Sequence, residues 1–187
     1  MKIITSLPVV LLFLSVVPCP AQATQQGSVG RNTELESQVA KAFSKVTTKL
    51  SEKTSVPLRF PTFVRGLEDG TELYAVIKSV DKTGYVVVLG ATPDCQGQHV
   101  CSDGTFIGTS QPLDQIDEYT LRGRQGARAA LAHKIKGTFY KSECGAYCSD
   151  ALMTWSEGNY HYIIGIKAER KADLVRTANS AILTQPR

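Results

Sequence analysis

The chain has 187 residues, 42% of them hydrophobic and 20% charged, and its 21 basic and 17 acidic side chains leave a formal charge of +4. That length supports one domain with a real core. The mild basic excess suits anionic surfaces but falls far short of a nucleic-acid binder's, so no nucleic-acid partner is expected.

Residues 1–23 read as a secretory signal peptide. Lys2 precedes an apolar run from Ile3 to Val17, then Pro18 to Pro20 and the small-residue triplet Ala21-Gln22-Ala23. The run is too short to span a bilayer, and the ending suits cleavage before Thr24. Lipid anchoring at Cys19 is the rival reading, opposed by Pro18 where a small residue would be wanted. After cleavage the formal charge is +3, because Lys2 is the one charge lost. No later segment reaches the length of a transmembrane helix. The expected product is exported, periplasmic or extracellular, and a monomer.

Residues 24–32, TQQGSVGRN, read as a flexible lead-in, and residues 33–187 as a single domain. Thr33 and Glu36 have capping-box spacing, and Leu35, Val39, Phe43, Val46 and Leu50 line one helical face. Strands follow at residues 73–80 and 85–91, joined by Asp81-Lys82-Thr83-Gly84, and at residues 105–107. Residues 109–128 mix charge with glycine and read as a long connection, with a short edge strand at residues 119–121. Three more strands are predicted at residues 134–140, 151–155 and 160–167, the last two joined by Ser156-Glu157-Gly158-Asn159. A closing helix runs from Lys171 to Leu183. The expected fold class is α+β: an antiparallel sheet of about six strands with an N-terminal and a C-terminal helix packed on one face.

Four cysteines remain after cleavage: Cys95, Cys101, Cys144 and Cys148. An even number in an exported chain implies two disulfides. Three connectivities are open, and the local pairs need no assumption about the fold. Gaps of five and three residues suit a structural zinc site poorly, so neither metal nor cofactor is expected.

If the strands pair in chain order, the Cys95 and Cys144 loops share one rim. That rim collects Asp94, His99, Asp103, Glu143, Tyr147 and Asp150. Histidine among carboxylates is the raw material of acid–base chemistry, but no nucleophile or ligand spacing accompanies it. A second set, Arg122, Arg124, Arg128, Lys134 and Lys136, is a candidate anion-binding face. Trp155, Tyr160 and Tyr162 read as strand packing, and His161 as solvent-facing. Ser79-Val80-Asp81-Lys82 and Lys82-Thr83-Gly84 match motifs of penicillin-interacting enzymes, but the two share Lys82 inside one hairpin turn and read as coincidence.

The blocks LYAVIKSVDKTGYVVVLGATPDCQG, CSDALMTWSEGNYHYIIGIKA and DLVRTANSAI resemble a group of exported bacterial proteins of unknown function. The C-terminal region is similar to a domain of unknown function on the outer side of some membrane-bound anti-sigma factors. The resemblance implies the compartment and an α+β fold, and carries over no functional residue. The whole reads as an exported, non-catalytic module binding an envelope or extracellular protein or polymer. The alternatives are a small secreted hydrolase using the His99 rim and a secreted protein inhibitor that inserts the stapled loop into a cleft.

Overall fold

The computed structural model describes residues 26–184, apart from residues 66, 68–70, 116–120, 122–123, 146–147 and 168. The expected signal peptide, Cys19, Arg122, Tyr147 and the first two residues of the expected edge strand lie outside the described residues. Helix α1 runs over Gln26–Ser51 and so begins well before the capping-box Thr33, within the segment expected as a lead-in. Capping signals mark one permissible start, and a nucleated helix extends through a polar stretch at little cost per residue. On its inner face Val39, Ala42, Phe43 and Leu50 are buried. Phe43 stacks on Phe60 at 4.5 Å and meets Phe106 edge-on at 5.0 Å.

Among the described residues seven antiparallel strands follow: β1 (Tyr74–Asp81), β2 (Gly84–Gly90), β3 (Ser102–Thr109), β4 (Gly126–Ala130), β5 (Lys136–Tyr140), β6 (Asp150–Glu157) and β7 (Tyr160–Lys167). Helix α2 closes the chain over Lys171–Leu183, the bounds expected from its pattern. The strand beyond the expected six is β4, whose Gly-Ala-Arg-Ala-Ala sequence carries no β-branched or aromatic signal.

Pairing follows chain order only within two meanders. The sheet order is β1-β2-β3-β7-β6-β5-β4, so β3 pairs with β7 and not with β4. Composition explains the arrangement. In β7, Ile163 and Ile164 are buried on opposite faces, which suits the middle of a sheet, whereas β4 goes to the edge.

Alternation sorts the two faces. Val87, Leu89, Phe106, Met153 and Ile164 join one buried cluster together with Val39 and Phe43 of α1 and Leu174, Ala178 and Ile182 of α2. On the other face Ile107, Leu152 and Ile163 form a smaller cluster. Leu113 and Leu121 of the β3–β4 connection pack against it and cover part of this face.

Both tight hairpins have local causes. Asp81 Oδ1 accepts the Thr83 hydroxyl at 2.6 Å, the Thr83 N–H at 2.7 Å and the Gly84 N–H at 3.0 Å. Those bonds hold its carboxyl below the usual range. The strands reach to Asp81 and from Gly84, leaving Lys82 and Thr83 as a two-residue turn where four residues were expected. Ser79 and Lys82 are thus hairpin residues, as the coincidence reading requires. Between β6 and β7 the turn rests on Gly158, at φ +60°.

A polar latch fastens residues 52–65 to the far end of the sheet. The guanidinium of Arg59 donates to Glu157 twice, at 3.1 and 2.6 Å, and to the Thr184 carbonyl at 3.2 Å. Trp155 Nε1 donates to Glu157 Oε1 at 2.9 Å. The Arg59 N–H donates to the Tyr85 hydroxyl at 3.0 Å, and the Tyr162 hydroxyl to the Pro57 carbonyl at 3.1 Å. Burial pushes both phenols far above their ordinary range, so they stay neutral donors and acceptors. Trp155 and Tyr162 stack at 5.3 Å and are core residues, as expected.

Candidate functional site: a disulfide-braced rim

Register fixes which loops meet. Leu89 lies opposite Gly104, Asp150 opposite Lys167 and Tyr140 opposite Leu152. The β2–β3 and β5–β6 loops therefore sit at one end of the sheet, with the end of β7 between them. The shared rim expected from chain-order pairing exists, but the β3–β7 pairing produces it. Each loop carries its own bridge, Cys95 to Cys101 and Cys144 to Cys148. Replacing Cys95 and Cys101 together by serine is expected to cost about 2 kcal/mol and lower the melting temperature by about 4–8 °C, leaving the far-ultraviolet circular dichroism unchanged.

The Cys95 loop is held from within. Cys95 is 1% exposed, and Gly97, at φ +95°, lies over Val88. The Gln98 carbonyl accepts from the N–H groups of Cys101 at 3.1 Å and Ser102 at 3.0 Å, and its side chain accepts from Gln96 N–H at 2.8 Å. Ala91 N–H donates to the Cys101 carbonyl at 3.0 Å. From β7, Lys167 Nζ donates to the His99 carbonyl. On this ordered frame Val100 is 97% exposed.

The register brings part of the expected rim set together. Continuing the β3–β7 and β6–β7 ladders places Asp103 and Asp150 on either side of Lys167, on one face. Burial raises the Asp103 carboxyl above its ordinary range, and attraction to Lys167 opposes that rise. Asp94 and His99 are exposed on the loop above. Glu143 is exposed too, its N–H donating to Ser149 Oγ at 2.9 Å. Lys167 was missed as a rim residue. Period-two counting from Ile163 through Gly165 puts it on the face of the smaller cluster at the strand's end, which is the available signal.

The basic set divides. Arg124 Nη2 donates to the carbonyls of Lys141 at 2.7 Å and Asp150 at 3.0 Å, with its guanidinium 6.0 Å from the Tyr140 ring centre. Arg124 is thus a tie between the long connection and the rim. Arg128 and Lys136 are exposed on the β4–β5 pair, and Lys134 sits in the turn between them at φ 61°.

Chemistry finds little foothold. Among the described residues no group of three or more His, Cys, Asp or Glu side chains is placed to hold a metal ion. Ser156 Oγ lies 2.7 Å from His161 Nδ1 across the β6–β7 hairpin, at the opposite end from the rim. Among the described residues neither an orienting carboxylate nor an oxyanion-type donor pair accompanies that contact, so it reads as a cross-strand hydrogen bond. A cleft of about 250 Å³ opens between α1 and the start of β1. Of its charged lining residues Lys41 is exposed and the side chains of Lys45 and Glu72 are 51% and 68% exposed, too open to select a ligand. Among the described residues no helix is long and apolar enough to cross a membrane.

Comparison with family models, with curated proteins and with solved structures yields no match to this chain.

Proposed function

We propose that the protein is an exported, non-catalytic binding module that docks on a partner protein through the Cys95–Cys101 loop. Val100 carries the reading: a branched apolar side chain, 97% exposed, stands at the tip of a loop ordered by a bridge and several backbone hydrogen bonds. A loop ordered before binding loses little entropy on docking, and an apolar knob gains by entering a pocket. The bridges and the leader-like start of the sequence support an oxidising compartment. The turn closed by Cys101 N–H on the Gln98 carbonyl presents Val100 as a knob and not on an extended strand. That geometry favours docking in a partner's pocket over substrate-like insertion in a protease cleft.

The test uses protein recovered from the exported fraction, whose N-terminus should lie near Thr24; a diacylated Cys19 would overturn cleavage there in favour of lipid anchoring. Val100→Asp should reduce capture of the bound partner at least about tenfold, the effect of losing roughly 1.5–3 kcal/mol of apolar burial. Its melting temperature should match the parent's, because Val100 touches little of the fold. Equal capture by Val100→Asp would remove the loop tip from the interface.

A further inference from the structure

The sheet's two edges are treated differently. Strand β1 has a register shift between Ile77 and Ser79, and α1 packs beside it, with Lys45 Nζ 5.7 Å from the Tyr74 ring centre. A shifted register and a covering helix are the usual means by which an edge is closed to further pairing. Among the described residues strand β4 has neither device. It pairs with β5 in unbroken register from Gly126 opposite Tyr140 to Ala130 opposite Lys136. Gly126, Ala127, Arg128 and Ala130 are exposed. Apart from Arg128 its side chains are no larger than a methyl group, so β4 itself offers little bulk against an approaching backbone.

The outer hydrogen-bonding groups of β4 can be assigned. Lys171 Nζ donates to the Arg128 carbonyl at 2.6 Å, so that carbonyl points away from β5. In an antiparallel ladder, outward-pointing residues alternate, which turns the N–H and C=O groups of Gly126, Arg128 and Ala130 outward together. Among the described residues only Lys171 reaches them.

Charge selects what could pair there. From residue 119 to residue 142 the sequence contains no Asp or Glu, while Arg124, Arg128, Lys134, Lys136 and Lys141 fall within it. The register puts Arg128 and Lys136 on one face of the β4–β5 pair. Lys171 approaches from α2, which packs on the opposite face. A strand added beside β4 would therefore meet cations on both of its faces. A second copy paired antiparallel through β4 would bring the two Arg128 side chains toward each other across the new ladder, which like-charge repulsion opposes.

We propose that β4 is a docking edge for an extended acidic segment of a partner protein, which adds to the sheet as a further strand. Backbone pairing supplies the geometry, and acidic side chains on the incoming strand answer the flanking cations.

A blocked peptide of alternating Glu and Val is the probe, with the amide resonances of the intact protein as readout. Shifts should centre on Gly126, Arg128 and Ala130. Binding should weaken about tenfold or more when Lys replaces Glu in the peptide, or in the Arg128→Glu, Lys136→Glu variant. N-methylation of alternate peptide nitrogens should abolish it, because it removes the donors and leaves the charge. Val100→Asp should leave it intact, which separates this surface from the loop tip. Equal binding of the N-methylated peptide would reduce the site to unspecific charge attraction. No binding, or β4 pairing between two copies without peptide, would overturn the proposal.

Discussion

Glu157→Ala should destabilise the protein by about 2–3 kcal/mol and lower its melting temperature by about 5–10 °C, though Glu157 lies on a hairpin far from the rim. Its side chain is 21% exposed and that of its partner Arg59 is 12% exposed. Removing the carboxylate leaves a guanidinium largely withdrawn from water with the Thr184 carbonyl as its remaining acceptor, and strips Trp155 Nε1 of its acceptor as well. Burial alone disfavours the Arg59 charge, yet hydrogen bonding and attraction from Glu157 outweigh it and hold its pKa above the ordinary value. Full burial would put the cost of breaking the pair at about 3–5 kcal/mol, and residual solvent contact lowers it. Replacing both partners by apolar residues should cost less than the two single changes added together, because no orphaned charge remains. Urea denaturation of the two singles and the double checks this. A loss below about 0.5 kcal/mol in Glu157→Ala would show that the latch contributes nothing measurable.

The sequence makes some of this legible and hides the rest for identifiable reasons. Helix α2 declares itself because Leu174, Val175, Ala178, Ala181 and Ile182 fall on one side at helical spacing; four of them are buried and Val175 is half-buried at the margin. Both hairpins are legible because Asp81 and Gly158 are local turn residues. Strand β4 is not, since its alanines pack at an edge that tertiary context, and not propensity, selects. The β3–β7 pairing joins residues far apart in the chain, and nothing local encodes it. For the rim, the even cysteine count points to two bridges and the rim carboxylates follow from turn placement, but which cysteines pair is decided by the folded loops. Val100 needed the fold, because its exposure is a property of the assembled loop, whereas period-two counting along β7 already signals Lys167 and only its neighbours Asp103 and Asp150 depend on register.

A second large effect should come from the smallest possible change, Gly108→Ala in β3, which is expected to cost about 2–3 kcal/mol and to lower the melting temperature by about 5–10 °C. A β-carbon built on Gly108 would lie 2.5 Å from Tyr85 Cε1, 2.6 Å from Cζ and 2.7 Å from the hydroxyl oxygen. Those contacts are impossible without moving the ring. Tyr85 is 2% exposed and packs against Phe60 at 5.4 Å, so it has no solvent to move into. Its hydroxyl also accepts the Arg59 N–H, so displacing the ring would unseat the segment that positions Arg59 against Glu157. The clash needs both partners, which gives the argument its control. Tyr85→Ala alone should cost about 3–5 kcal/mol through the lost ring, but adding Gly108→Ala to it should cost at least about 1 kcal/mol less than in the parent. Thermal or urea denaturation of the four proteins in the cycle measures that coupling. A Gly108→Ala variant as stable as the parent, or strict additivity with Tyr85→Ala, would show that the close approach of ring and backbone is not what fixes glycine at this position.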